Sequence, residues 1–212
     1  MKSGSGSTEK LAREELSIKF VNTVAWRLRD PAEDRAASPE AMLKWLAGAG
    51  LADRLTASRI GARWRQFPRE ARSFLKDAAE LREAIYELFV ARIDARKADP
   101  VATGIVNANL ARSGRGVGLA SLQRELKWQP SRRLAPQQLL KPVAWSAVTL
   151  LMGPRAQKVR QCEDERGCGW LFIDESRAQN RRWCSMGDCG NLAKSRRHYH
   201  RGLPSGLALR SR

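Results

Sequence analysis

The chain has 212 residues, of which 42% are hydrophobic and 29% are charged, and its formal net charge is +17. This composition excludes a chain too polar to form a core, and the length fits one large or two unequal domains. So large a positive charge favours polyanionic partners, nucleic acid first and acidic membrane or protein surfaces second. The alternative is a solvated basic surface without a partner.

No segment resembles a membrane anchor or a secretion signal. The longest nearly apolar stretch, Val143–Met152, is about half of a membrane span and is expected to be a buried helix. Met1–Lys10 is rich in serine and glycine and, like residues 203–212, is expected to be a flexible tail. We therefore expect a cytoplasmic protein that does not contact a membrane.

Residues 11–153 are predicted to form a mainly helical domain. An amphipathic stretch, Leu11–Trp26, predicts the first helix. The second is expected to begin at Ser38, a hydroxyl cap followed by proline and glutamate, and to end in the glycine-rich run 48–50. A short basic helix over Thr56–Gln66 follows.

The strongest helical pattern lies in Pro68–Lys97, where apolar residues recur at three- and four-residue steps. Pro100–Ala111 predicts another helix, and Val117–Trp128 has the weak alternation of a small β-hairpin. Pro136–Met152 is a further apolar segment, and Pro142 predicts either a kink or a new helix start within it. Gly153 and Pro154 mark the expected domain boundary.

Residues 154–202 contain every cysteine of the chain, in the spacing C-x5-C-x15-C-x4-C. Two short-spaced pairs joined by a loop suit a tetrahedral metal, and a reducing compartment disfavours disulfides. Four thiolates leave no open position for water, so the site is expected to be structural. We predict that Zn²⁺ is bound by Cys162, Cys168, Cys184 and Cys189.

The residues between and after the cysteines predict a treble-clef-like unit. Gly169–Asp174 is β-prone, Asp174–Asn180 is expected to be the turn of a hairpin, and Arg181–Trp183 is expected to return as its second strand. A short basic helix over Asn191–His200 follows the last cysteine. The predicted fold class is therefore mainly α within α+β: a helical domain with a small β-hairpin, plus a C-terminal zinc finger whose stability depends on metal.

Two parts of the chain resemble known bacterial families. The runs Cys168–Asp174, Arg181–Met186 and Cys189–Asn191, with Ala193 and Lys194, resemble the CGNR zinc finger over about residues 160–201. The run Phe20–Val24 with Trp26, then Ser38–Glu40 and Trp45–Leu46, resembles the helical ABATE domain that precedes this finger. One position departs from the pattern, because Leu192 follows Cys-Gly-Asn where the family has arginine.

The resemblance implies a transcription regulator whose finger binds double-stranded DNA and whose N-terminal domain senses stress or a ligand. If the family arginine contacts phosphate, this chain lacks that contact at Leu192; if the position is structural, leucine packs there. RNA or a ribosome is the alternative partner of the same basic finger. A third alternative is a small-ligand protein in which the zinc is only a structural clip.

The candidate nucleic-acid contacts are the basic residues of the finger, because arginine reads guanine or phosphate and lysine anchors phosphate. They are Arg177, Arg181, Arg182, Lys194, Arg196, Arg197 and Arg201. Each of them alone could equally be a solvated side chain.

Asn22, Thr23 and Trp26 are candidates for a ligand pocket, on the resemblance and on the polar pair in an apolar helix. A buried hydrogen-bonded pair or a helix break is the alternative. No catalytic triad, phosphate-binding loop or dinucleotide motif is present in the sequence, so we expect a protein that is not an enzyme. A dimer would match paired half-sites on DNA, but no interface pattern predicts it.

Overall fold

The computed structural model describes residues 15–111, 117–122, 125–130, 135–193 and 195, and gives the strands between 117 and 130 by their backbone alone. The described helices are α1 (15–21), α2 (Pro39–Gly48), α3 (Arg54–Gln66), α4 (Pro68–Ile93), α5 (Pro100–Ala111) and α6 (Lys141–Met152). A 3₁₀ turn, Pro136–Leu140, leads directly into α6. None of these described helices has both the length and the hydrophobicity that a membrane span requires.

Local capping explains where the second and third helices begin. The Ser38 hydroxyl accepts a hydrogen bond from the Ala41 amide at 3.1 Å, and Pro39 occupies the first helical position, as the sequence predicts. The Asp53 carboxylate caps α3 in the same way, accepting from the Thr56 amide at 2.7 Å. Pro142 lies in the first turn of α6, so this proline starts a new helix.

Helix α4 is the centre of the fold, and the other helices pack around it. Its apolar stripe, predicted from the sequence, is buried along its length; Phe74, Leu81, Ile85 and Phe89 have no exposed surface. The helix ends at Ile93, four residues before the predicted end. It is followed by a turn in which Ala95 has a left-handed φ of 52°.

Six short strands of the described ranges form three antiparallel pairs. Strand β1 (Val24–Ala25) pairs with β2 (Glu33–Asp34), and the predicted hairpin joins β3 (Val117–Leu122) to β4 (Glu125–Pro130). Strand β5 (Val159–Gln161) pairs with β6 (Leu171–Ile173), with Val159 opposite Ile173 and Gln161 opposite Leu171. The predicted fold class, mainly helical with small hairpins and a C-terminal four-cysteine finger, is confirmed.

Two local predictions were wrong. The first helix ends at residue 21, not at Trp26, because the chain turns at Asn22 and Thr23 and enters β1. The strand after the second cysteine does not pair with Arg181–Trp183. It pairs with β5, which lies before the first cysteine, because Val159 and Leu171 both enter the main core, each 1% exposed.

The helices and the β5–β6 hairpin share one hydrophobic core. A second, smaller cluster contains Phe172 and the cysteines, with Trp26, Trp170 and Trp183 packed against them. Trp26 lies between α1 and α2, both of which contribute to the main core, so the segment around it joins the helical domain (residues before 154) to the finger (residues from 154).

Candidate metal centre and the surface around it

The four cysteine sulfurs lie together. Their Sγ atoms are all within 4.8 Å of one another, and the Sγ of Cys184 is 3.8 Å from those of both Cys168 and Cys189. Four thiolates about 2.3 Å from a central zinc ion would be about 3.8 Å apart in a tetrahedron. The donor set and its spacing therefore fit a four-coordinate zinc ion.

The first cysteine pair occupies the loop of the β5–β6 hairpin. Cys162 directly follows β5, and its amide donates to the Trp170 carbonyl at 2.7 Å. Cys168 lies between Gly167 and Gly169, whose φ values of 86° and 64° are in the left-handed region that favours glycine. The loop thus turns sharply on both sides of this ligand.

The second pair is formed by a tight turn of the finger itself. The Ser185 hydroxyl accepts from the Asp188 amide at 3.3 Å, and the Gly190 amide donates to the Ser185 carbonyl at 2.9 Å. These bonds close the turn Met186–Gly190, so Cys184 and Cys189 face the first pair.

The electrostatics of the cluster favour a bound cation. Hydrogen bonds to Cys162 and Cys168 raise the pKa of the Cys184 thiol. Burial raises the pKa of Cys189, and the Asp164 carboxylate raises it further. Hydrogen bonds from Cys168 and Cys184 lower the pKa of Cys162. Four adjacent thiols cannot all ionise unaided, whereas a divalent metal would deprotonate them all.

Arg166 adds positive charge beside the sulfurs. Its guanidinium lies 4.0 Å from the Cys189 Sγ, bonds the Asp164 carboxylate and lies over the Trp26 ring, 5.1 Å from the centroid. The same hydrogen bonding lowers the pKa of Asp164 to about 2. A cation at this distance would offset part of the negative charge of a four-thiolate zinc site, as outer-shell partners of metals do.

The helical domain bonds directly to the first cysteine loop. The amide of Arg27 donates to the Cys168 carbonyl, and that of Leu28 donates to the Gly167 carbonyl, both at 3.0 Å. The Tyr86 hydroxyl of α4 donates to the Gly169 carbonyl at 3.3 Å and accepts from Gln161 of β5. The loop is therefore bonded both to Arg27 and Leu28, which follow β1, and to α4.

The three residues predicted as a ligand pocket lie in this same contact. The Asn22 amide group bonds both backbone atoms of Leu171, donating to its carbonyl at 2.8 Å and accepting from its amide at 3.0 Å. The Thr23 hydroxyl donates to the Phe20 carbonyl and accepts from Arg82 at 3.0 Å. Trp26 packs on the cysteine cluster. A ligand at these residues stays a prediction.

A buried ion pair fixes the same segment to α4. Arg82, 4% exposed, donates to both oxygens of Asp34 on β2, at 2.9 and 2.7 Å. Burial pulls the pKa of Asp34 up, but the hydrogen bonds from Arg82 and the Ala36 amide outweigh it, so the net shift is downward. Arg27 bonds Glu83 and the Val21 carbonyl. Strands β1 and β2 are thus attached to α4 through Arg82 and Arg27.

The predicted nucleic-acid residues within the described ranges have different surroundings. Arg177 is exposed. Arg182 is exposed and pairs with Glu163 at 2.5 Å. Arg181 is half-buried, donates to the carbonyls of Trp183 and Cys184 at 3.2 and 2.7 Å, and lies over the Phe172 ring. The other four, Lys194, Arg196, Arg197 and Arg201, lie outside the described residues.

Comparison with known families agrees with this arrangement. Residues 14–154 match ABATE, described as a putative stress-induced transcription regulator, and residues 158–202 match the CGNR zinc finger. The chain belongs to the ABATE family. It carries a CGNR finger, and the family resemblance read from the sequence is confirmed. No curated protein matches this ABATE–CGNR chain.

Sequence reasoning missed the residues that join the two parts. Asn22 was singled out for its polarity, yet its partner, Leu171, is 149 positions away. Tyr86 lies on α4 and fits its helical pattern, so nothing local marks it. Two signals were available: Arg82 is a charged residue on the apolar stripe, four positions after Ala78 and three before Ile85, and the pair of glycines flanking Cys168 indicates a close backbone approach.

Proposed function

We propose that this protein is a zinc-dependent, DNA-binding transcription regulator and not an enzyme. Cys162, Cys168, Cys184 and Cys189 would hold the zinc, which would act as a structural centre without a free coordination position. The basic residues of the finger would contact duplex DNA. The helical domain would receive a signal or ligand, which it would pass to the finger through their shared contact.

The observation that carries the proposal is a four-cysteine cluster with zinc-like spacing in a strongly basic segment of a regulator-like family. From Gly153 onward the sequence has 13 lysines and arginines against 6 acids. Among the described acids, Glu163 and Asp164 each pair with an arginine, and Asp174 accepts backbone amides. Each such ion pair cancels one charge of each sign, so the 13 basic residues against 6 acids leave a net charge of +7, and this excess supports binding to phosphates.

Within this proposal the described arginines have separate roles. Arg177 and Arg182 are exposed and would contact phosphate or base edges, because a surface ion pair such as Arg182–Glu163 is weak enough to be exchanged. Arg181 would act without contacting DNA, by holding the backbone of the turn that carries Cys184 and Cys189 in place.

The deciding experiment is selection of the zinc-loaded full chain against a randomised duplex DNA pool at near-physiological salt, followed by titrations at several salt concentrations. Enrichment of a defined sequence supports the proposal, and the symmetry of that sequence would report a monomer or a dimer. Arg177→Ala should weaken binding and lower the slope of log K against log salt by about 1.

A structured RNA at equal salt is the matched competitor in that experiment. Tighter binding to RNA than to duplex DNA would contradict the proposal and favour an RNA-binding finger. Absence of binding to either nucleic acid would contradict it as well and would direct attention to a ligand of the helical domain.

A further inference from the structure

We infer that the helical domain positions Cys162 and Cys168 as ligands before any metal binds, and that metal binding orders only the turn that carries the second cysteine pair. The residues responsible follow β1 or lie on α4, and they contact the loop that contains Cys162 and Cys168. They are positioning residues, because none of them supplies a ligand atom.

The strands on both sides of the first pair are anchored without the metal. Val159 of β5 and Leu171 of β6 are each 1% exposed and belong to the main core together with α4 and α6. Burial of such apolar side chains stabilises the strands independently of zinc. The ends of the loop that contains Cys162 and Cys168 are therefore held by the core.

The loop itself fits closely against the helical domain. A Cβ atom added to Gly167 would come within 2.7 Å of the Arg29 Cγ and 3.2 Å of the Leu28 carbonyl carbon. At Gly169 it would come within 2.8 Å of the Leu28 Cγ. With the bonds from the Arg27 and Leu28 amides, this contact leaves the loop little freedom.

The second pair lacks such anchoring. Among described residues, no side chain from Arg182 onward belongs to the main core; Trp183, Cys184 and Cys189 belong only to the small cysteine cluster. The bonds that join this turn to the rest include Glu163 N to Arg182 O at 2.9 Å and the two carbonyl contacts of Arg181. A segment of this size without a core depends on metal for its order.

The consequence concerns regulation and rests on the proposed function. Loss of zinc would release the turn with Cys184 and Cys189, and with it the neighbouring Arg182, while the helical domain and the first pair stay in place. DNA binding would then be switched off without unfolding the protein, and rebinding of zinc would have only one half of its site to order.

Amide hydrogen exchange of the full chain, zinc-loaded and after EDTA treatment, tests this directly. The amides of Arg27 and Leu28 should keep their protection within about threefold, whereas those of Glu163 and Gly190 should lose at least a hundredfold. If the Arg27 and Leu28 amides lose protection together with those of Glu163 and Gly190, the first pair is not positioned by the helical domain and the inference is wrong. Full protection of all four would equally overturn it.

Glycine variants give a second test that does not depend on EDTA. Gly167→Ala should push the loop off the helical domain, so zinc affinity should fall at least tenfold in a chelator competition and the Arg27 and Leu28 amides should lose protection. Gly50→Ala is the control for backbone strain, since Gly50 has a similar φ of 71° and open space around it. Gly187→Ala is the control for a side chain near the metal. Wild-type zinc affinity in Gly167→Ala would contradict the inference.

Discussion

The two cysteine pairs of the finger contrast in what holds them. Cys162 and Cys168 lie in a hairpin loop whose strands enter the main core and whose backbone bonds to Arg27 and Leu28. Cys184 and Cys189 lie in a turn closed mainly by its own hydrogen bonds and by the Arg181 guanidinium. The four-cysteine cluster therefore combines a half built on the fold with a half built on local contacts.

The contrast shows that a zinc finger need not depend on its metal uniformly. Apolar burial stabilises the first half whether or not the four thiolates are bridged, because Val159 and Leu171 are buried among helices. The second half has only small contacts to offset the entropy of ordering its residues. Metal dependence should therefore increase along the finger from Val159 to Gly190.

The largest effect should come from removing a ligand of the second pair. Cys184→Ser should abolish tight zinc binding, which for structural zinc in small fingers provides about 10–16 kcal/mol. Metal content by mass spectrometry should fall from one zinc per chain to none. The helical domain should nevertheless melt near the wild-type temperature. A collapse of that transition would show that the two halves fold as one unit.

Breaking the ion pair between Arg82 and Asp34, which attaches β2 to α4, should have the next largest effect. Asp34→Asn leaves the buried guanidinium of Arg82 without its carboxylate, and we expect a loss of about 3 kcal/mol in the free energy of unfolding by urea. Glu33→Gln, which removes the neighbouring exposed pair with Arg35, is the matched control and should cost less than about 0.5 kcal/mol.

The same carboxylate gives a pH dependence with a defined sign. Because the pKa of Asp34 is lowered in the folded protein, its ionised form stabilises the fold at neutral pH. That contribution should be lost as the pH falls below about 4, the value for an unfolded aspartate, and on through the folded value. Urea titrations from pH 7 to pH 3 should show a smaller loss of stability in Asp34→Asn than in wild type.

Within the second half, Arg181→Ala should weaken zinc binding by about tenfold. The variant removes charged hydrogen bonds to the Trp183 and Cys184 carbonyls. Such bonds contribute about 1.5–3 kcal/mol each, and the net loss is smaller because the guanidinium is only half-buried and water replaces part of the bonding. Arg181→Lys should restore little, because an ammonium group cannot reproduce the planar fork. Unchanged affinity in chelator competition would show that the turn orders itself without this side chain.

The smallest effect on folding should come from Arg182→Ala. Its pair with Glu163 is exposed on both sides, so stability should change by less than about 0.5 kcal/mol. Its effect should appear in DNA titrations, where the salt slope should fall by about 1. A loss of stability as large as that of Arg181→Ala would assign both arginines to the structure of the finger.

Features encoded by nearby residues could be predicted from the sequence. The Ser38 cap, the apolar stripe of α4 and the new helix at Pro142 each depend on contacts within a few positions. The cysteine cluster was predictable because ligand spacing constrains the chain chemically, and the resemblance to ABATE and CGNR added many matching positions.

Features that depend on distant partners could not be predicted in the same way. Strand β5 has three residues, and only its burial against α4 selects it over Arg181–Trp183 as the partner of β6. The role of Asn22 likewise required knowledge of Leu171. Arg181 is a different case, because the carbonyls that accept from it lie only two and three positions away, but its charge did not indicate that role; its contact with nucleic acid stays a prediction.

The shared core between the helices and the β5–β6 hairpin also limits how this finger can be transplanted. A fragment starting at Pro154 would expose Val159 and Leu171 to water, and the remaining domain would lose their packing. Grafting the finger onto another protein would require the Asn22–Leu28 segment to be carried with it. Gene fusions that exchange only one of the two parts should therefore yield poorly soluble products, and the two parts should be inherited as a pair.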